Sequence, residues 1–192
     1  RDNPKVERRV ALTPEAVEIL VNQGHEVIIE SGAGEAANYQ DHAYSENGGF
    51  IVNEKDQVYQ CDIILRISPL TSEEIDYLKG DQIVFTALNL PQQREEYIRK
   101  LMQKKVIAVA FEYLRDDDNS FPVLKAISEI AGTTSILVAS EYLSSSRNGK
   151  GVMLGGVSGI TPTEIVILGA GTAAEYAARA ALGLGASIKV FD

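Results

Sequence analysis

The feature that most constrains this chain lies at its end. Glu164-Ile165-Val166-Ile167-Leu168 is a β-branched strand that runs directly into Gly169-Ala170-Gly171-Thr172-Ala173-Ala174. Glu175 to Leu184 then reads as an alanine-rich helix, and Ser187-Ile188-Lys189-Val190-Phe191 as a second strand ending on Asp192. A strand, a glycine turn, a helix and a second strand in close succession make a parallel β-α-β unit. Each piece also has a chemical task. Gly169 permits the tight turn, and Gly171 lets the backbone approach a diphosphate without a Cβ clash. Thr172 and Ala173 open the helix, and Ala174 sits where close helix–strand packing admits only Gly or Ala. The free N–H groups of the first helical turn favour an anion. Asp192 is placed to accept hydrogen bonds from both hydroxyls of a ribose. Its charge would repel a 2′-phosphate, so the pattern favours NAD(H) over NADP(H).

Strand and helix alternate through the rest of the chain as well. Thr13-Pro14 is an N-cap with proline at the first helical position, and the helix runs to Gly24. Strands are expected over 25–30, 50–52, 62–67, 82–88 and 106–110, and helices over 41–46, 71–79 and 92–104. Thr71 with Glu74 forms a capping box. The 62–67 run is apolar without alternation, as in a strand covered on both faces. A long helix follows from Val123 to Leu143, then a loop of Ser, Asn and Gly. The expected fold is α/β: a Rossmann-like doubly wound domain over 1–127, a connecting helix and loop over 128–146, and the first β-α-β unit of a Rossmann nucleotide-binding domain over 147–192.

Composition excludes several classes. With 45% hydrophobic residues the chain can build a core, so it is not intrinsically disordered. One Cys and two His exclude a disulfide framework and a Cys/His zinc site. The single Cys makes a reducing, cytoplasmic compartment the expectation. A net charge of −9 without a basic patch argues against nucleic acid and anionic membranes as partners. No uninterrupted apolar run approaches a membrane span, and the start lacks the apolar core of a secretory signal. Asp116-Asp117-Asp118-Asn119 reads as a solvated turn, and Cys61 as a small core residue. His25 and His42 read as surface side chains.

Several stretches taken together resemble one family. Glu7-Arg8-Arg9-Val10-Ala11-Leu12-Thr13-Pro14, Glu30-Ser31-Gly32-Ala33-Gly34-Glu35 and Ser128-Glu129-Ile130-Ala131-Gly132 resemble the alanine dehydrogenase / pyridine nucleotide transhydrogenase family. Gly151-Val152-Met153-Leu154-Gly155-Gly156-Val157-Ser158-Gly159 and the glycine turn continue the match in family order, closest to the alanine dehydrogenase branch. The resemblance implies NAD-dependent oxidative deamination of L-alanine to pyruvate and ammonia by a cytoplasmic homo-oligomer, commonly a hexamer. It also implies that the family's first strand precedes Arg1 and that the rest of its nucleotide domain, with the catalytic aspartate and the nicotinamide pocket, follows Asp192. Arg9 matches the arginine that holds the substrate carboxylate, Ser128 a position contacting the cofactor, and Asp192 the ribose acid. The small amino or oxo acid is expected in the cleft between domains.

Two positions depart from the family pattern. Leu88-Asn89-Leu90 stands where alanine dehydrogenases carry a histidine between leucines. Asn89 can donate and accept hydrogen bonds but cannot transfer a proton near neutral pH. Arg66-Ile67-Ser68-Pro69 stands, one residue shorter, where they carry Lys-Val-Lys-Glu-Pro. Arg66 can hold a carboxylate or carbonyl oxygen but is too basic to act as a base. Three readings therefore stand open: an alanine dehydrogenase, the nucleotide-binding portion of a transhydrogenase, and an NAD-binding regulatory homologue that has lost its acid/base group.

Overall fold

The computed structural model describes residues 1–192 and divides them into two compact units, Arg1–Tyr113 and Leu114–Asp192. The division falls ahead of the expected connector: the long helix lies wholly in the second unit.

In the first unit, α1 (Pro14–Asn22) starts at Thr13, whose hydroxyl accepts the Ala16 N–H at 3.3 Å. Strand β1 (Ile28–Glu30) pairs in parallel with β2 (Phe50–Val52), with α2 (Asp41–Glu46) between them in the chain. Val17, Ile29 and Tyr44 form the small core beneath this pair. Helix α3 (Lys55–Val58) leads to a second parallel sheet in the order β3 (Ile63–Leu65), β4 (Ile83–Thr86), β5 (Ile107–Ala110). The connections are α4 (Ser72–Tyr77), opened by the Thr71–Glu74 capping box, and α5 (Glu95–Gln103). Tyr59, Ile64, Leu70, Ile75, Leu78, Val84, Leu88 and Leu101 make the core of this half, with Cys61 packed against it.

Every recorded strand pairing is parallel, as the alternation of elements requires. The strand around 62–67 differs from its expected double covering: Ile63 is 50% exposed and Leu65 38%. Side chains alternate along β3: Ile64 turns into the core, while Ile63 and Leu65 lie on the opposite face and line a cleft rather than a second core.

In the second unit, α6 (Pro122–Leu143) runs unbroken through Gly132. Strand β6 (Glu164–Leu168), helix α7 (Thr172–Gly183) and strand β7 (Ser187–Phe191) follow, with β6 and β7 parallel from Glu164↔Ser187 to Leu168↔Phe191. Ile136, Leu154, Ala177, Ala181 and Ala186 form this unit's core. At 22 residues and a mean hydropathy of 1.3 over its most apolar window, α6 is long and apolar enough to cross a membrane. This corrects the expectation that no segment approaches a span. The expectation considered apolar runs, whereas the apolar window of α6 tolerates up to two charged residues among its apolar ones. α6 packs Gly132 and Ile136 inward and leaves most of its apolar window unburied.

Candidate functional site

Parallel strands deliver the residues that follow them to one end of the sheet, the usual place for a site in this architecture. In the first unit these residues are Arg66 after β3, Ala87 to Asn89 after β4, and Phe111 to Tyr113 after β5.

Arg66 is almost buried, its side chain only 10% exposed. Its Nε donates to Asp2 Oδ1 at 3.0 Å and its Nη1 to the Tyr59 hydroxyl at 3.4 Å; Nη1 also forms an ion pair with Glu74. Burial works against the charge, but the Asp2 hydrogen bond and the neighbouring carboxylates outweigh it, and the guanidinium is held more firmly protonated than usual. Asp2 also accepts the N–H groups of Ile67 and Ser68 at 3.3 and 3.2 Å, which fixes the loop after β3. Glu74 is 3% exposed and accepts from Lys55 Nζ at 2.5 Å and Thr71 N at 2.7 Å. Burial would raise its pKa, yet Lys55, Thr71 and Arg66 together hold it down at about 2. Burial also raises the Tyr59 phenol well above its ordinary value.

Arg9 is bound differently. Its Nε and Nη2 donate to the two oxygens of Glu7 at 2.9 and 2.6 Å, while more than half of its side chain stays in solvent. The pairing raises the arginine and lowers the glutamate from their ordinary values. Arg9 and Arg66 line one cleft of about 960 Å³ in this unit, together with Arg1, Asp2, Tyr59 and Glu30. His25 also lines it. That residue lies in the turn ahead of β1, not within the strand.

Asn89 is exposed and sits in the left-handed region, at φ 48° and ψ 44°, as the cap of a short 3₁₀ turn. It does not line the cleft. A carboxylate holds its backbone: Glu112 Oε1 accepts the N–H groups of Leu88 and Asn89 at 2.9 and 2.8 Å.

In the second unit the glycine turn has the conformation its sequence requires. Gly169 has φ 105°, a region open to glycine and costly for other residues. Gly171 caps α7, and no side chain occupies the orphan N–H groups of Thr172, Ala173 and Ala174. Space in front of the turn is open: a Cβ on either Gly169 or Gly171 would meet nothing within 4 Å. Asp192, just past β7, accepts the Ala170 N–H at 3.3 Å, so the acid stands across the mouth of the turn. An uncapped helix start behind two glycines suits an anion, and an adjacent carboxylate suits hydroxyl groups. Ser128 is half-buried on α6, one helical turn before Gly132.

Two family models match the chain. The alanine dehydrogenase/PNT N-terminal domain matches residues 1–131, and the alanine dehydrogenase/PNT C-terminal domain matches residues 135–192. The chain belongs to the alanine dehydrogenase/PNT family. Among curated members, the alanine dehydrogenase of Staphylococcus saprophyticus is 39% identical over 186 residues, covering 97% of this chain and 50% of that protein. The alanine dehydrogenase of Staphylococcus epidermidis is 37% identical over the same span and coverage. The chain therefore spans about half the length of the curated alanine dehydrogenase/PNT relatives it matches. A solved L-alanine dehydrogenase superposes with a TM-score of 0.92 at 35% identity, covering all of this chain and 53% of that one. A transhydrogenase from Sinorhizobium meliloti superposes with a TM-score of 0.87 at 24% identity, covering all of this chain and 57% of that one, and shares the fold.

The residues that sequence reasoning did not single out are mostly carboxylates: Asp2, Glu7, Glu74 as an ion-pair partner, and Glu112. Glu74 carried a signal as the third residue of a capping box. Asp2 and Glu112 act across the fold on partners that no local pattern announces, while Glu7 pairs with Arg9 only two residues on.

Proposed function

We propose that this chain supplies the substrate-binding domain and the opening nucleotide-binding unit of an NAD-dependent amino-acid dehydrogenase that converts L-alanine to pyruvate and ammonia. The observation that carries the proposal is the second unit's turn: Gly169 left-handed, Gly171 open, the start of α7 uncapped and Asp192 alongside. These residues fit a dinucleotide. The N–H groups of Thr172, Ala173 and Ala174 would hold the diphosphate, and Asp192 the adenosine ribose, with Ser128 as a further contact. When bound, NAD supplies the hydride acceptor.

The remaining chemistry falls to the chain's own side chains. A guanidinium fork is the strongest neutral-pH ligand for a carboxylate, and Arg9 keeps one edge clear of Glu7 for this purpose. Arg66, whose charge Asp2 and Glu74 offset, keeps one nitrogen free as a donor. Asn89 lies outside the cleft that Arg9 and Arg66 line; a substrate that reaches the end of β4 would take a hydrogen bond from its amide N–H, or give one to its amide oxygen, without a proton being moved. A homo-oligomer in the cytoplasm, acting on a small amino or oxo acid, is part of the same proposal. Nucleic acid and membranes are not partners in it.

The test is direct. With the full-length protein to which these residues belong, NAD and L-alanine, NADH formation at 340 nm is expected together with calorimetric binding of NAD. Arg9→Ala should weaken alanine or pyruvate binding and leave NAD affinity intact. One observation favours a second reading. Asn89 replaces an ionisable residue at the end of β4, which suits a nicotinamide-nucleotide-binding protein without amino-acid turnover, either the soluble part of a transhydrogenase or a regulatory homologue. NAD binding with no alanine-dependent NADH would select this reading; no NAD binding at all would remove both.

A further inference from the structure

Gly132 is buried in the middle of α6, against the first turn of α7. A Cβ there would collide with the Ala173 carbonyl oxygen and lie 3.0 Å from both Ala173 C and Ala177 N. The far end of α7 is braced in the same manner. Gly156 donates its N–H to Leu184 O at 3.1 Å, and a Cβ on it would lie 2.6 Å from Gly185 O. A Cβ on Gly155 would collide with Leu184 O. Gly183, within α7, has nothing within 4 Å of its Cβ position. Glycine stands where backbone meets backbone at both ends of this helix, as Gly149 also does against the end of α6, whereas Gly183 marks a position in α7 where no such contact exists.

Contacts of this kind cannot be relieved by a rotamer change. A methyl group at Gly132 must move Ala173, and with it the N–H groups that open α7. Charge-assisted hydrogen bonds to an anion depend on donor placement to within about half an ångström. We infer that Gly132, together with Gly155 and Gly156, positions the start of α7 so that its N–H groups meet a nucleotide diphosphate. These are positioning residues that touch no ligand. The inference rests on the dinucleotide reading of the glycine turn.

The experiment compares two probes on the full chain: ADP-ribose, which carries the diphosphate, and adenosine, which does not. Titrations by ligand-observed NMR would be run on the wild type, Gly132→Ala, Gly156→Ala and Gly183→Ala. The first two variants are expected to fold, to keep adenosine binding, and to lose ADP-ribose affinity by at least ~10-fold. Gly183→Ala is expected to match the wild type for both probes. Folded Gly132→Ala and Gly156→Ala with wild-type ADP-ribose affinity would overturn the inference, as would equal losses for both probes. Collapse of both variants beside a folded Gly183→Ala would assign the glycines to folding alone and overturn it too. A wild type that binds neither probe would instead remove the dinucleotide reading itself.

Discussion

Glu7 grips Arg9 with both carboxylate oxygens, at 2.9 and 2.6 Å, and so decides which edge of the guanidinium stays free. The Nε–Nη2 edge is occupied, and the Nη1–Nη2 edge can present two parallel N–H groups. Replacing Glu7 by Gln keeps an acceptor but removes the counter-charge and one of the two equivalent oxygens. The KM for L-alanine should rise about 3–10-fold with kcat little changed, since the contact serves ground state and transition state alike. Arg9→Ala should raise KM by roughly 10–100-fold, the value of a charged hydrogen-bond pair. Initial-rate kinetics separate the two parameters.

Asn89 offers a gain-of-function test. Its left-handed backbone is one that histidine also adopts more readily than most residues, so Asn89→His should be accepted without strain. If position 89 meets the reacting atoms, the variant should raise alanine-dependent NADH formation by roughly 100-fold or more. Its pH–rate profile should gain an inflection near ~6.5, the ordinary imidazole value. An unchanged rate and profile would place the reacting atoms elsewhere.

Glu112 gives a stability prediction. Its carboxylate is the acceptor for two adjacent N–H groups, and Leu88 is only 5% exposed. Glu112→Ala would leave a buried donor unpaired, at a cost of about 1–3 kcal/mol. Glu112→Gln retains one acceptor oxygen and should lose less. Urea unfolding followed by tyrosine fluorescence measures both.

Acid sensitivity follows from Glu74. Its folded pKa is held down at about 2, below the ~4.3 of an unfolded glutamate. A depressed carboxylate stabilises the fold fully above the unfolded value, and that stability is lost as pH falls from about 4.3 towards 2. Glu74→Gln should flatten the acid limb of the stability profile in this window. At neutral pH it should cost about 3–5 kcal/mol, because Arg66 and Lys55 lose a shared buried partner. Denaturant midpoints between pH 2 and 7 test both statements.

Local chemistry was readable where it is self-contained. Thr13-Pro14 and the Thr71–Glu74 box start their helices where the sequence places them, and the 41–46 helix and 50–52 strand have their expected bounds. β1 is shorter than read, because Gly24 turns at φ 90° and pairing with β2 begins only at Ile28. α3 was not read at all, since four residues cannot display a helical period. The helix expected over 92–104 is split: a 3₁₀ turn takes Leu90–Gln92, and α5 begins at Glu95. In the candidate site, the glycine turn was legible because its residues are contiguous. The ion network was not, because Asp2 and Arg66 stand 64 positions apart.

The parallel pair β6–β7 carries one more consequence. A two-stranded sheet is marginal in water unless something packs against it, and here Leu168 is 82% exposed, Phe191 57% and Val166 54%. Open strand margins bearing such side chains are templates for self-association. Prepared as these residues alone, the second unit should therefore self-associate as its concentration rises.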